Sequence, residues 1–198
     1  VGVYADWEGL SDPLRLGLLH ARRGTSREVF EFVLDRTALA FVNSPANPQG
    51  STLGEADLKT ALAIARHHDF VLAADECYSE IYCGAPPAGA LAAADGRLDN
   101  LLVFHSLSKR SNVPGLRSGF VAGDARLITL FKRLRNYGGA QLPLPVQAAS
   151  EALWQDEEHV KHNRALYRAK FDLAAEILGP TGTRPGGGFY LWLKVGDG

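Results

Sequence analysis

The chain has 198 residues, 46% of them hydrophobic and 22% charged, a composition typical of a folded globular protein. Its 21 Lys and Arg residues against 22 Asp and Glu give a formal net charge of −1, so it lacks the basic excess that nucleic acid or an anionic membrane surface usually requires. It contains no apolar run of about 18 residues, no signal-peptide pattern at its start and too few cysteines for a disulfide framework. These features predict a soluble cytoplasmic protein.

The first clear pattern along the chain begins after residue 36. Residues 1–36 mix apolar and basic positions without a clean period, and we assign no element to them. Residues 38–43 are a short apolar run followed by the turn-rich sequence SPANPQG, as expected of a buried strand that leads into a loop. Thr52 and Glu55 then have capping-box spacing ahead of apolar residues at helical spacing, which predicts a helix over residues 53–68.

Short apolar runs alternate with amphipathic segments along the rest of the chain. Further strands are predicted at residues 70–75, 101–105 and 119–123, and helices at residues 125–137, 143–154 and 156–178. The strands lack the alternation of a half-exposed sheet, so we expect helices to cover both of its faces. The pattern indicates an α/β protein, a three-layer α/β/α domain with a mainly parallel sheet.

The C-terminal part of the chain has a different character. After several glycines and prolines comes FYLWLKV (189–195), in which the apolar residues Phe, Leu, Leu and Val alternate with Tyr, Trp and Lys. This alternation predicts a half-exposed strand. We accordingly divide the chain into an unassigned segment (1–36), a partial large domain (37–155), and a connecting helix with the start of a small α+β domain (156–198).

Polar side chains of unusual kinds follow three of the predicted strands. They lie at residues 43–47, 75–78 and 106–109. The carboxyl ends of parallel strands meet at one edge of a sheet, which is where ligands bind in open α/β folds. We therefore expect these three segments to form one site.

The residue types in these segments fit an electrophilic cofactor that carries a phosphate. A lysine that attacks an aldehyde must present a free amine, which burial and neighbouring positive charge favour, and Lys109 has Arg110 and Arg117 nearby in the sequence. Asp75 is suited to hold a pyridine nitrogen in its protonated form, in which the ring accepts electrons.

The other polar groups are suited to hold the substituents of such a ring. Tyr78 and Asn47 can donate hydrogen bonds to a ring oxygen, while Ser106, Ser108 and Arg117 offer two hydroxyls and a guanidinium to a phosphate. Each residue alone also has an ordinary structural explanation in a turn, a cap or a solvated loop. Their combination at these spacings favours a cofactor site.

Three segments, NSPANPQG, DECYSEIY and SLSKRSNVPGLRSGF, resemble the hallmark segments of the class I/II pyridoxal-phosphate aminotransferases. The resemblance extends from about Leu39 to Val195 and includes the step of eight residues from Lys109 to Arg117. It implies the PLP-dependent transferase fold type I, pyridoxal 5'-phosphate as cofactor, an amino acid and a 2-oxo acid as substrates, and a homodimer. Within the family, the overall amino-acid sequence is most similar to that of bacterial succinyldiaminopimelate aminotransferases of lysine biosynthesis.

The resemblance also implies a role for each matched residue. Lys109 would form the Schiff base with the cofactor aldehyde and move the proton of the substrate α carbon. Asp75 would pair with the pyridinium nitrogen. The ring hydroxyl would be held by Tyr78 and Asn47, and the phosphate by Ser106, Ser108 and Arg117.

Two parts of the family's site are not recognised in this sequence. These are an N-terminal Gly-rich segment that binds the phosphate and a C-terminal arginine that binds the substrate carboxylate, so the sequence alone does not choose the amino donor. The chain also begins at Val1 and contains no Met. We therefore expect it to be the middle of a longer enzyme.

Several other functions are weighed against this one. Carbon–sulfur lyases of the same fold share all of these residues, and a cofactor-binding domain of a transcription regulator would carry them without turnover. Ser106 to Lys109 also match the Ser-x-x-Lys signature of penicillin-binding enzymes, but no Lys-Thr-Gly sequence accompanies it. The glycines at 186–188 precede a predicted strand, unlike those of a dinucleotide site. His159 and His162 lack an evident third ligand, so no metal site is predicted.

Overall fold

The computed structural model describes residues 2–3, 27–139, 141–179 and 184–193. Its strands form one five-stranded sheet in the order β1-β2-β3-β4-β5. They are β1 (Gly2–Val3), β2 (Leu39–Asn43), β3 (Val71–Asp75), β4 (Leu101–Ser106) and β5 (Gly119–Gly123). The four strands predicted before residue 189 are all present, and their ends differ from the prediction by at most one residue.

Seven α-helices accompany the sheet within the described residues. They are α1 (Arg27–Asp35), α2 (Glu55–His67), α3 (Ala90–Ala93), α4 (Leu107–Arg110), α5 (Ala125–Gly138), α6 (Leu144–Gln155) and α7 (Glu158–Leu178), with a 3-10 turn at Pro114–Leu116. The four longer helices predicted from the sequence are confirmed as α2, α5, α6 and α7. Helix α1 lies in the segment to which the sequence assigned no element. No described helix combines the length and the apolar character needed to cross a membrane.

The sheet is parallel except at one edge. Strands β1 to β4 pair in parallel, whereas β4 and β5 pair antiparallel with Ser106 opposite Gly119. A parallel return needs a crossover to the far end of the sheet, usually through a long helix. The connection from β4 to β5 contains only the four-residue α4 and the 3-10 turn. The chain therefore re-enters the sheet at the end where it left.

The start of α2 differs from its predicted cap. The helix begins at Glu55, and the residue before it is Gly54, whose backbone N–H donates to Asp57 Oδ2 at 3.0 Å. Thr52 and Glu55 thus do not form the predicted capping box. A carboxylate at the third helical position fulfils one half of such a box, and glycine is an acceptable residue at the cap position.

The main core lies between the sheet and helices α2 and α3. Leu58, Leu62 and Ala65 of α2 are at most 1% exposed and belong to the same buried cluster as Leu72 of β3 and Val103 of β4. Their spacing puts all three α2 residues on one helix face.

Helix α5 packs on the opposite face of the sheet. Its Phe131 ring meets Phe104 of β4 edge-on, with ring centres 6.2 Å apart. Phe41 of β2 also belongs to this face, since it alternates with Val42 of the core, and it remains 47% exposed. Helices on both faces of the sheet give the predicted three layers.

The predicted strand at 189–195 is not formed over residues 189–193, and residues 194 and 195 lie outside the described residues. Gly187 makes a single antiparallel bridge to Tyr82, and its N–H donates to the Gly50 carbonyl at 3.0 Å. This segment divides its backbone hydrogen bonds between two separate loops, so it has no continuous strand partner. The division into a large and a small domain stays a prediction.

Truncation of a core residue of α2 tests this description of the core. Leu62 is 1% exposed, so Leu62→Ala should lower the free energy of unfolding by about 2–5 kcal/mol. The exposed Leu130 of α5 provides the matched control, because Leu130→Ala should change it by less than about 0.5 kcal/mol. Urea unfolding followed by circular dichroism measures both, and equal effects would contradict the assigned core.

Candidate functional site

The parallel register brings the predicted site segments to one edge of the sheet. Asn43 at the end of β2 pairs with Asp75 at the end of β3, and Asp75 pairs with Phe104 of β4, two residues before that strand ends. The loops that follow these strands therefore leave the sheet side by side. This is the edge at which open α/β folds bind their ligands.

Asn47 and Tyr78 meet across two of these loops. The Asn47 side-chain amide donates to the Tyr78 hydroxyl at 3.3 Å. Burial raises the pKa of Tyr78 above its ordinary value, and a hydrogen bond with Tyr190 adds to the increase. The phenol therefore keeps its proton at neutral pH and can donate a hydrogen bond.

Lys109 lies beside Tyr78. Its Nζ atom is 5.7 Å from the centre of the Tyr78 ring and 4.9 Å from the centre of the Phe189 ring. Both distances are within the range of cation–π attraction. The amine of this half-buried residue thus lies among aromatic surfaces at the edge of the sheet.

The Asp75 carboxylate is oriented by the backbone that follows it. The Cys77 N–H donates to Asp75 Oδ1 at 3.0 Å, a local turn in which an aspartate accepts from the second residue after it. Burial, reinforced by the side chain of Asp75 and its charge, raises the pKa of Cys77 to about 12. Cys77 therefore contacts a predicted site residue, a role that the sequence did not suggest.

The two predicted phosphate-binding serines form one cluster. Ser106 Oγ accepts from the Ser108 N–H at 3.1 Å and lies 2.9 Å from Ser108 Oγ. It also donates to the Ser118 carbonyl at 3.3 Å. Arg117, the residue before Ser118, is exposed, and its Nη1 donates to the Pro114 carbonyl at 2.8 Å. The structure joins the serines directly and places Arg117 on the adjoining turn.

Arg110 does not provide positive charge beside Lys109, contrary to the sequence-based expectation. Its side chain is 5% exposed, donates to the Leu153 carbonyl at 2.7 Å and pairs with Glu157. Consecutive helix residues point about 100° apart, so Arg110 faces α6 and α7 while Lys109 faces the site. Arg110 fastens these helices to the short α4.

The sequence did not identify Phe189 and Tyr190 as site residues. Phe189 lies 5.3 Å from the Tyr78 ring, and Tyr190 lies 6.3 Å from it. The alternation of apolar and polar residues predicts a strand for both. The three glycines before Phe189 were the available signal, because such a run permits the close backbone approach that the structure shows.

His159 lies near the start of α7 and is held by two hydrogen bonds. His159 uses both ring nitrogens, at 2.8 Å from Asp156 Oδ2 and at 2.8 Å from Ser111 Oγ. Among the residues that the structure describes, no cluster of three His, Cys, Asp or Glu side chains could hold a metal ion.

The chemistry of this edge suits a phosphorylated pyridine aldehyde. Asp75 provides an acceptor for a ring N–H, Lys109 an amine, and Asn47 and Tyr78 donors for a ring oxygen. In the described part of the chain, two buried side-chain oxygens have no hydrogen-bond partner, Asn43 Oδ1 and Gln49 Oε1, which lie before and after Asn47 in the sequence. Buried acceptors normally find a donor in protein, water or ligand. Unpaired acceptors at this edge agree with a ligand site.

Comparison with known proteins identifies the family. The sequence profile described as "Aminotransferase class I and II" matches residues 24–197. The chain belongs to the class I and II aminotransferases. The cofactor of this family is pyridoxal 5'-phosphate, in agreement with the donor set of the site.

Similar proteins span the family widely. The 4-dedimethylamino-4-oxo-anhydrotetracycline transaminase OxyQ of Streptomyces rimosus is 38% identical over 164 residues, which are 80% of this chain and 46% of that protein. An LL-diaminopimelate aminotransferase of Nitratidesulfovibrio vulgaris is 32% identical over 81% of this chain and 43% of its own length.

Solved aminotransferases have the same fold. The crystal structure of an aminotransferase from Neisseria meningitidis superposes with a TM-score of 0.79 at 49% identity, covering 87% of this chain and 44% of that one. A probable N-succinyldiaminopimelate aminotransferase from Thermus thermophilus superposes with a TM-score of 0.69 at 27% identity, covering 75% of this chain and 40% of its own. These likenesses confirm the predicted fold type. The chain spans less than half of the length of each of these four proteins.

The contact between Asp75 and Cys77 can be tested by alkylation. Only the thiolate reacts with iodoacetamide, and the Asp75 charge is one cause of the high pKa of Cys77. Asp75→Asn should lower that pKa and speed alkylation of Cys77 several-fold at mildly alkaline pH, measured by peptide mass spectrometry in a Cys83→Ser background.

The exposed Asp99 provides the matched control for this experiment, since Asp99→Asn should leave the rate unchanged. An unchanged rate in Asp75→Asn would contradict the assigned contact.

Proposed function

We propose that this protein transfers an amino group between an amino acid and a 2-oxo acid, with pyridoxal 5'-phosphate bound at the edge of the sheet. The observation that carries the proposal is the position of Lys109 beside Tyr78, which itself hydrogen-bonds to Asn47 on the neighbouring loop. The three predicted segments thus contribute side chains to one place.

Each side chain has a separate task in this proposal. Asp75 keeps a proton on the ring nitrogen, Asn47 and Tyr78 donate to the ring hydroxyl, and the phosphate is bound by Ser106, Ser108 and Arg117. The bound cofactor supplies an aldehyde that takes up amino groups and a ring that accepts the electrons of the substrate Cα–H bond. Lys109 Nζ would hold the cofactor through its aldehyde carbon, and its amine would take up the proton of the substrate α carbon.

Two charged side chains of the proposed site, Asp75 and Lys109, have different surroundings. The Asp75 carboxylate, held by the Cys77 N–H, is the fixed negative charge at the end of β3. The half-buried Lys109 amine is partly shielded from water by the rings of Tyr78 and Phe189. A dry surrounding strengthens the attraction between charges and prevents loss of the transferred proton to solvent.

We further propose succinyldiaminopimelate as the amino donor and 2-oxoglutarate as the acceptor, a reaction of lysine biosynthesis. The overall sequence resemblance supports this choice, as does the structural similarity to the Thermus protein described as a probable N-succinyldiaminopimelate aminotransferase. The relative from Nitratidesulfovibrio is described as an LL-diaminopimelate aminotransferase. It supports a diaminopimelate as the amino donor but does not support the succinyl group. We also propose a homodimer, on the family resemblance alone.

Attachment of the cofactor to Lys109 is the first test. Incubation with pyridoxal phosphate followed by borohydride should fix the cofactor to the peptide that contains Lys109, detected by mass spectrometry and by the visible spectrum. Lys109→Ala should abolish this attachment, whereas Lys132→Ala, at an exposed position of α5, should preserve it. Equal labelling of the wild type and Lys109→Ala would contradict the proposed site.

Substrate choice is tested by the half-reaction. The holoenzyme should convert its cofactor to the amine form with N-succinyl-LL-diaminopimelate and return it to the aldehyde with 2-oxoglutarate, forming glutamate. Asp75→Asn should slow this conversion by roughly 10²- to 10³-fold, the usual cost of losing a preorganised charge. Faster conversion by unmodified LL-diaminopimelate would replace the proposed donor. Release of pyruvate and ammonia would indicate a lyase, and attachment without any half-reaction a binding domain.

A further inference from the structure

A segment near the C-terminal end of the described chain closes over the loops of the candidate site. We call residues 185–190 the strap. The Gly187 N–H donates to the Gly50 carbonyl at 3.0 Å, and the Gly188 N–H donates to the Ile81 carbonyl at 2.7 Å. Gly50 belongs to the loop that carries Asn47, and Ile81 to the loop that carries Tyr78. The strap therefore binds both loops through its backbone.

The strap approaches these loops so closely that glycine is required. A Cβ atom on Gly187 would lie 2.3 Å from Pro45 Cγ, and one on Gly50 would lie 2.3 Å from Pro185 Cβ. Gly188 has a φ of +82°, a conformation that L side chains rarely adopt. The match between glycines on both sides indicates a packed contact with a defined position.

The strap places two aromatic rings at the candidate site. Phe189 stacks on Tyr167 of α7 with an interplanar angle of 14° and meets the Tyr78 ring edge-on. The centre of the Tyr190 ring lies 6.3 Å from that of Tyr78. Phe189 is thus held between α7 and the loop after β3, and its orientation is fixed from two directions.

The face of Phe189 is turned toward Lys109. The distance from Lys109 Nζ to the centre of the Phe189 ring is 4.9 Å, shorter than the 5.7 Å to Tyr78. A ring at this distance limits the rotamers of the long side chain and excludes water from one side of it. These effects act on the amine that the proposed function requires.

We propose that Phe189 is a positioning residue for Lys109, and that the strap exists to hold it there. The proposal rests on the proposed function, because it assigns Phe189 to the same site. Its consequence is that the reactivity of Lys109 depends on an aromatic ring 80 residues away in the sequence, contributed by a segment outside the predicted large domain.

Replacement of the ring tests the proposal. Phe189→Leu keeps an apolar side chain without a ring, so Lys109 should be held less rigidly and attachment of pyridoxal phosphate to it should slow by roughly 3- to 30-fold through the loss of orientation. Phe189→Tyr keeps the ring and should restore the wild-type rate. Phe32→Leu, at an exposed position of α1, is the matched control and should have no effect. Stopped-flow absorbance follows the attachment, and borohydride trapping with peptide mass spectrometry locates it.

A backbone variant tests the strap itself. Gly187→Ala should displace the strap and slow attachment as Phe189→Leu does, although Phe189 is retained. Gly84→Ala is the matched control, because a Cβ there would meet nothing within 4 Å. Thermal melting identifies variants that are merely unfolded. If Gly187→Ala does not fold, the comparison of Phe189→Leu with Phe189→Tyr still decides the outcome.

The possible failures are distinguishable. Absence of attachment to Lys109 in the wild type would refute the proposed function. Normal attachment in the wild type with an equal rate in folded Phe189→Leu would leave that function intact and overturn the role of Phe189. Equal slowing in Phe189→Leu and Phe189→Tyr would also overturn it, since a ring is then not what matters.

Discussion

The candidate site depends on the parallel register of β2 and β3. This register sets Asn43 level with Asp75, so that the two strands end together and their loops leave the sheet as neighbours. A shift by one residue would turn Asp75 toward the other face of the sheet, because side chains alternate along a strand. Leu72 and Ala74 of β3 oppose such a shift, since both belong to the buried core cluster and the shift would turn them to the opposite face of the sheet. The core therefore determines where the chemistry is placed.

Adjacent charged residues at this edge of the sheet point into different surroundings. Asp75 faces the candidate site, whereas Glu76 is buried, accepts from the Ala90 N–H at 2.6 Å and lies 3.3 Å from His105 Nε2. Lys109 likewise faces the site while Arg110 anchors α6 and α7. In each pair, one charged residue lies at the candidate site, while its neighbour is buried and hydrogen-bonded to another part of the chain. A buried charge is tolerated only when it is paired and hydrogen-bonded, as Glu76 and Arg110 are.

Sequence reasoning found the elements with local signals and missed those decided by distant contacts. Uninterrupted apolar runs located four strands, and the strand-end motifs located the residues from Asn47 to Lys109 that the structure brings together. Whether Arg110 points toward Lys109 depends on the partners available in α6 and α7, which spacing alone does not reveal. The strand expected at 189–195 is not formed over its described part. Alternation of apolar and polar residues indicates which side chains are buried, but a strand also needs a neighbouring strand with which to pair. Phe189 was missed for the same reason, since its neighbours Tyr78 and Lys109 are remote in sequence.

The antiparallel pairing of β4 with β5 affects how this region can change. Because Ser106 lies opposite Gly119, the segment between them leaves and returns at the same edge and forms a closed loop whose two ends are fixed. A Cβ on Gly119 would lie 2.4 Å from the His105 carbonyl, so the closing position is restricted to glycine. Lys109 and Arg117 both lie on this loop. An insertion or deletion between them would alter the separation of amine and guanidinium directly, since neither strand can slide to absorb it. The number of residues between Lys109 and Arg117 therefore sets the separation of these two side chains along the loop, whichever residues occupy the positions between them.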